Sequence, residues 1–156
     1  MDKKSPHYTR EKLLGEGGMG KVYLAQDNQL QRQVAIKELT SLVKSQEKSQ
    51  SKDEKVNHAL EEARLLARVN HTNIIQIYNI VDEGDYTALV MEYFNSKTLT
   101  QFQKETYPTL IQKLDLLRQL SAGLAAAHEN GVIHCDLKPS NILVNDQGQL
   151  KITDFG

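Results

Sequence analysis

His134-Cys-Asp-Leu-Lys-Pro-Ser-Asn141 and the terminal Asp154-Phe-Gly156 decide how this chain is read. Between them lie two short apolar runs, Ile142-Leu-Val-Asn145 and Gln149-Leu-Lys-Ile152, joined by Asp146-Gln-Gly148. Runs rich in β-formers around an Asp/Gly turn predict a β-hairpin. A hairpin returns the chain to its starting edge, so Asn141 and Asp154 come side by side, with Asp136 and Lys138 one turn earlier. Two hard oxygen donors beside a free carboxylate and an amine suit Mg²⁺ and a phosphate.

Asp136, Asn141 five positions later and then Asp154-Phe-Gly resemble the catalytic loop and metal-binding triplet of eukaryotic-type protein kinases. The resemblance implies that Asp136 orients the substrate hydroxyl and accepts its proton. It implies that Lys138 neutralises the transferring phosphoryl group, and that Asn141 and Asp154 hold Mg²⁺, or Mn²⁺. The Lys-Pro-Ser-Asn wording is similar to serine/threonine kinases, since tyrosine kinases usually lack a lysine there.

Working outward, Gly15-Glu-Gly-Gly-Met-Gly20 is a G-x-G-x-x-G run, by itself a weak signal. It suits a dinucleotide-binding turn, a phosphate-covering loop or a flexible linker. A dinucleotide fold needs a helix directly after the glycines. Here Lys21-Val-Tyr-Leu-Ala25 and, after a polar turn, Gln33-Val-Ala-Ile-Lys37 alternate as strands. The pattern predicts a hairpin tip over a phosphate, where backbone N–H groups approach closely. Lys37 closes a Val-Ala-Ile-Lys resembling the kinase third strand. Most strand lysines are simply solvated; the resemblance implies that this one pairs the α- and β-phosphates of ATP.

Residues 41–57 are rich in Ser, Gln and Lys and read as a mobile surface loop. Residues 58–69 are strong helix formers with Leu65, Leu66 and Val69 at helical spacing from Glu62. Glu61 and Glu62 are both candidates for plain solvation. The distance to Asn70-His-Thr-Asn-Ile74, similar to the family's His-Pro-Asn-Ile turn, selects Glu62 as the partner of Lys37. Strands follow at 75–81 and 86–91 around a turn at 82–85. Residues 97–105 read as a short helix. A long one from Thr109 to Asn130 has Ile111, Leu114, Leu117, Leu120/Ser121, Leu124 and Ala127 on one stripe, and Asn130-Gly131 as its stop. By resemblance, Leu14, Gly15, Glu16, Gly17, Gly18, Gly20, Val22, Ala35, Lys37, Glu62, Met91, Glu92, Phe94 and Leu143 surround ATP. Met91 backs the adenine pocket, and the backbones of Glu92 and Phe94 bond the base. Leu66, Ile77, His134 and Phe155 match the apolar stack that links the family's two lobes.

The 156 residues suit one ordinary domain, with 39% hydrophobic and 25% charged residues. A net charge of −1 gives no argument for nucleic acid. The single Cys135 permits no internal disulfide and fits a reducing, cytoplasmic setting. No apolar run reaches the roughly 20 residues of a spanning helix, and the N-terminus has no signal core.

The expected fold is α+β, a protein-kinase-like two-lobe arrangement. Residues 1–91 form a small lobe of five antiparallel strands plus one helix, 92–96 a hinge and 97–156 an incomplete, mainly helical large lobe. The expected function is Mg-dependent transfer of the ATP γ-phosphate to a protein Ser/Thr hydroxyl in signalling. The wording of the glycine loop is similar to bacterial eukaryotic-like kinases. Alternatives are a non-catalytic ATP-binding or regulatory module and a small-molecule kinase of the same fold. Thr72 replaces the family's usual proline. Cys135 stands where many kinases carry the arginine that receives an activation-loop phosphate, so switching through that contact is not expected. The chain stops at Gly156, before the family's activation segment and later helices. The expectation is an exposed apolar stripe on helix 109–130 and doubtful activity for residues 1–156 alone.

Overall fold

The computed structural model describes residues 7–17, 20–39, 50–82 and 87–155, with side chains left undescribed at 50–56. Gly18, most of the 82–85 turn and the final Gly156 therefore lie outside the described residues. The chain divides into two compact units, Met1–Leu60 with Ile77–Tyr93, and Glu61–Gln76 with Phe94–Gly156.

The first unit holds an antiparallel sheet of β1 (Tyr8–Gly17), β2 (Gly20–Asp27), β3 (Arg32–Leu39), β4 (Ile77–Asp82) and β5 (Thr87–Glu92) in the order β1-β2-β3-β5-β4. The expected five-stranded sheet is present. Asp27, buried at the end of β2, accepts the Gln29 and Leu30 N–H groups at 3.0 Å each and so shapes the β2–β3 turn. One sheet face is an apolar cluster of Ala25, Val34, Ile36, Ala88 and Val90. Register places Val22 opposite Lys37 and Ala35 opposite Met91, so these four share the other face.

Helix α1 runs Gln50–Leu66. It starts well before residue 58, within the stretch expected to be a surface loop, and ends three residues before Val69. Lys, Gln and Glu are good helix formers, so a polar run without apolar periodicity is no proof of a loop. The end tightens through Arg68 N–H to Leu65 O and Val69 N–H to Leu66 O. Residues 75–76, expected to open the strand at 75–81, do not join β4. Ile75 N–H bonds Ile152 O at 3.0 Å, beside an isolated parallel bridge between Ile74 and Ile152.

In the second unit, β6 (Lys97–Thr98), β7 (Ile142–Val144) and β8 (Leu150–Ile152) form a small sheet. The expected short helix at 97–105 begins instead with the two-residue strand β6 and continues as α2 (Leu99–Thr106). Helix α3 spans Leu110–Glu129 between a Thr109 cap and Asn130, as the sequence predicts. Both helices open on capping boxes, Thr98 with Gln101 and Thr109 with Gln112. At the α3 end Gly131 has φ +75°, and Val132 N–H reaches Ala127 O at 3.0 Å. The buried face of α3 is Leu116, Gln119, Gly123 and Ala127, flanked by the partly buried Leu120 and Leu124. The expected exposed stripe is present in the first half of α3, where Ile111, Leu114 and Leu117 are 79%, 56% and 57% exposed, and absent in the second, where Leu120 and Leu124 are partly buried and Ala127 is buried. The core of the unit is Phe102, Leu116, Ile142, Val144, Leu150 and Ile152.

Candidate active site

Glycines frame the tip of the β1–β2 hairpin, where Gly15 pairs with Val22 and Gly17 with Gly20. Gly20 needs to be glycine for its backbone, at φ +128°. Gly15 and Gly17 do not: an added Cβ at either meets nothing within 4 Å, and neither has a positive φ. Glycine there leaves open space above the backbone, the form of a loop that a ligand approaches closely. Leu14 and Glu16 are exposed, and Glu16 pairs loosely with Lys21 at 3.6 Å. Lys37 is only 8% exposed, on the same sheet face as Val22, Ala35 and Met91. A buried ammonium is costly without anionic company, so this position is not that of an ordinary solvated lysine. Glu92 ends β5.

The second unit carries the candidate catalytic loop, residues 134–141. Its polar groups are tied together tightly for so irregular a segment. Lys138 Nζ lies 2.8 Å from Asp136 Oδ2. Asn141, 7% exposed, donates Nδ2–H to Asp136 O at 2.9 Å and to Asp136 Oδ2 at 3.3 Å. Pro139–Asn141 form one 3-10 turn, closed by Asn141 N–H to Lys138 O at 2.9 Å, which brings the three side chains round to one place. The Lys138 hydrogen bond holds the Asp136 carboxyl below its usual range, with smaller help from the Lys138 charge and from Asn141, against some desolvation.

The predicted hairpin is present, with Ile142 opposite Ile152 and Val144 opposite Leu150. It does bring the metal candidates together: Thr153, next to Asp154, donates its N–H to Asn141 O at 3.0 Å. His134 closes the loop from beneath. Its Nδ1 accepts the Asp136 N–H at 3.3 Å, which leaves Nε2 as the donor to Thr153 O at 2.9 Å. His134 also stacks on Phe155 with ring centroids 4.5 Å apart, so this pair of the expected stack is in contact. Asp154 sits at φ +55° and Cys135 at φ +61°, conformations that few non-glycine residues adopt and that mark a constrained site. The Cys135 thiol is exposed and faces Ile133 O at 3.5 Å.

Asn141 and Asp154 offer an amide oxygen and a carboxylate, which fits a hard divalent cation that takes its remaining ligands from water and phosphate. With Nδ2 committed to Asp136, Asn141 keeps its Oδ1 end for a cation. Among the described residues no cluster of three or more His, Cys, Asp or Glu could make a full protein cage. Leu143 points away from the core that holds Ile142 and Val144. Phe94 lies under Lys151, with Nζ 5.6 Å from the ring centroid, and its carbonyl accepts from Ser96 Oγ at 2.8 Å. Glu62 is half-buried on α1.

The profile of the protein kinase domain family matches residues 8–156. The chain belongs to that family. It is 35% identical over 153 residues to the serine/threonine-protein kinase PrkC of Bacillus subtilis, covering 97% of this chain and 23% of that protein. It is 39% identical over 158 residues to the serine/threonine-protein kinase PknA of Mycobacterium tuberculosis, covering 97% of this chain and 35% of that one. A solved structure described as PpkA-294 apo form superposes with a TM-score of 0.90 at 26% identity, over 99% of this chain and 60% of that one. The kinase-domain chain thus spans about a quarter to a third of the length of these curated relatives.

Sequence reasoning left one set of residues without a role, namely Asn73, Gln119 and the backbone of Thr153. The one sequence signal at Gln119 is its helical spacing from Leu116 and Gly123, which an apolar pattern discounts.

Proposed function

We propose that this protein transfers the γ-phosphate of ATP to serine or threonine hydroxyls of a protein substrate, with Mg²⁺ as the working cation and Mn²⁺ a usable substitute. The bonded set Asp136–Lys138–Asn141 carries the reading. Family membership and the names of the relatives support it.

In this reading residues 1–91 act as the small lobe, 92–96 as the hinge and 97–156 as large-lobe residues. Gly15, Gly17 and Gly20, with Gly18, cover the phosphates, and Lys37, oriented by Glu62, pairs with them. Val22, Ala35, Leu143 and Leu14 hold the adenine between apolar surfaces, Met91 backs the pocket, and Glu92 and Phe94 bond the base through their backbones. Asn141 Oδ1 and the Asp154 carboxylate would hold the cation, which would supply charge neutralisation to the phosphates. The Asp136 carboxylate accepts a hydrogen bond from the substrate hydroxyl and aims its oxygen at the γ-phosphorus. Because Lys138 lowers its basicity, Asp136 is a weak base at neutral pH. It takes the proton late, once the oxygen–phosphorus bond is forming, as suits a loose transition state. Lys138 is placed to shift from Asp136 toward the transferring phosphoryl oxygens. The near-neutral charge and lone cysteine support a cytoplasmic domain whose partners are proteins rather than nucleic acid. Among the described residues no helix is long and apolar enough to cross a membrane.

The test is transfer of labelled phosphate from ATP to a serine/threonine-containing protein such as casein, or to the protein itself, by the full-length protein. Label on serine or threonine that disappears in Asp136→Ala and in Asp154→Ala is expected. Label that persists in both substitutions, or that appears only on a small-molecule acceptor, refutes the assignment.

A further inference from the structure

Strand β8 is three residues long, and Asp154 follows two residues after its end. Lys151 pairs toward β7, so the N–H and C=O groups of Leu150 and Ile152 face the opposite edge. Among the described residues the sheet order β6-β7-β8 puts no strand there. Leu150 and Ile152 are 1% and 0% exposed, so water does not serve these groups either.

They are satisfied by a mixture of backbone and side chains. Ile152 N–H donates to Asn73 O at 2.8 Å, and Ile75 N–H donates to Ile152 O at 3.0 Å. Leu150 N–H donates to Gln119 Oε1 at 2.8 Å, and Asn73 Nδ2–H donates to Leu150 O at 2.8 Å. The two side-chain amides bond each other, Asn73 Nδ2 to Gln119 Oε1 at 3.0 Å, and so take the place of one peptide group in a missing strand. Gln119 spends its other end on the hairpin turn, donating Nε2–H to Gly148 O and to Asp115 Oδ2, each at 2.8 Å. Arg118 in turn holds Asp115 through Oδ1. One side chain thus fixes both the turn and the outer edge of β8.

We propose that Gln119, with Asn73, is a positioning residue for Asp154: the paired amides set the register and depth of β8, and thereby where the metal-binding carboxylate emerges. A one-residue slip of β8 would carry Lys151 into the core and move Asp154 with it. Asn73 and Gln119 are 7% and 8% exposed and bond Leu150, Ile152 and Gly148, so their effect on Asp154 passes through the strand. The inference rests on Asp154 being a metal ligand.

The experiment measures ATP affinity of the full-length protein with Mg²⁺ and with EDTA, and takes the ratio as the metal enhancement. Gln119→Leu is expected to lower that ratio about tenfold, the small end of what losing an outer partner of a metal ligand costs. The metal-free affinity should stay as in the wild type. Gln119→Met keeps the length of the side chain, removes both amide ends without adding a charge, and should lower the ratio as leucine does; it decides the matter if the leucine variant does not fold. A wild-type ratio in either folded variant overturns the positioning role. A wild type without metal enhancement overturns instead the assignment of Asp154, and Asp154→Ala, expected to abolish the ratio, separates the two failures.

Discussion

Gly123→Ala sets two physical effects of opposite sign against each other. Gly123 lies inside α3, where alanine is the better helix former by about 1 kcal/mol. Propensity alone therefore makes the substitution stabilising. The structure says otherwise. A Cβ at Gly123 meets Ile152 Cδ1 at 2.9 Å, the Asn73 carbonyl oxygen at 3.0 Å and Asn73 Cβ at 3.2 Å. None of the three can retreat cheaply. Ile152 is 0% exposed in the core, and the Asn73 carbonyl accepts the Ile152 N–H at 2.8 Å. Forcing a methyl into such a contact costs roughly 1–3 kcal/mol. Against the gain in propensity, the expected net loss is about 1 kcal/mol. For a chain of this size that lowers the melting midpoint by about 2–4 °C. Urea unfolding at constant m and thermal unfolding should agree on it. A Gly123→Ala protein more stable than wild type by about 1 kcal/mol would mean that propensity wins. The close approach of α3 to the loop carrying Asn73 would then not exist as described.

Three further outcomes are expected. Mg²⁺-ATP at about 100 times its dissociation constant should stabilise the protein by roughly 2.7 kcal/mol. Lys37→Met and Asp154→Ala should each remove the magnesium-dependent part, and an undiminished shift in both would refute their roles. Asp136 should titrate below the ordinary carboxylate value of about 3.9 when its side-chain carbon is followed by NMR, because Lys138 favours the ionised form. A depressed folded-state pKa means that whatever depends on the carboxylate is complete above the ordinary value and fades as pH falls through the lower one. Lys138→Met should move the titration upward, and no movement would show the pair to be unimportant. Finally, Leu110, Ile111, Leu114 and Leu117 are all more than half exposed on α3, so the chain should bind an apolar dye. Leu114→Lys with Leu117→Glu should cut the dye signal without loss of stability, and an unchanged signal would place the dye elsewhere.

The bonded cluster of the candidate catalytic loop was legible in the sequence because its contacts are local. Asp136, Lys138 and Asn141 lie within six residues, and one 3-10 turn suffices to gather them. The hairpin was legible for a similar reason: Asp146-Gln-Gly148 between two apolar runs leaves few other ways to fold, and Gly148 has φ +76°. The start of α1 was not legible, because a polar run of Ser, Gln and Lys gives the same composition whether it is helical or not. The orientation of α3 was half legible. Leucines occupy more than one side of that helix, so periodicity alone admits more than one buried stripe.

What separates those stripes is a residue that an apolar pattern discounts. Gln119 falls between Leu116 and Gly123 at helical spacing, and counting it as polar shifts the buried face toward Leu114 and Leu117. The physical requirement it meets is set elsewhere, by the outer edge of β8, whose four backbone groups need partners inside the core. A leucine at 119 would improve the apolar stripe and leave the Leu150 N–H buried without its acceptor, at a cost of about 1–3 kcal/mol. The best stripe on α3 is therefore the one that brings an amide, and not another methyl group, against the strand that carries Asp154. The same strand explains the glycine four residues further along: the helix must come close enough for an amide to bond the strand, and at that distance position 123 has no room for a side chain.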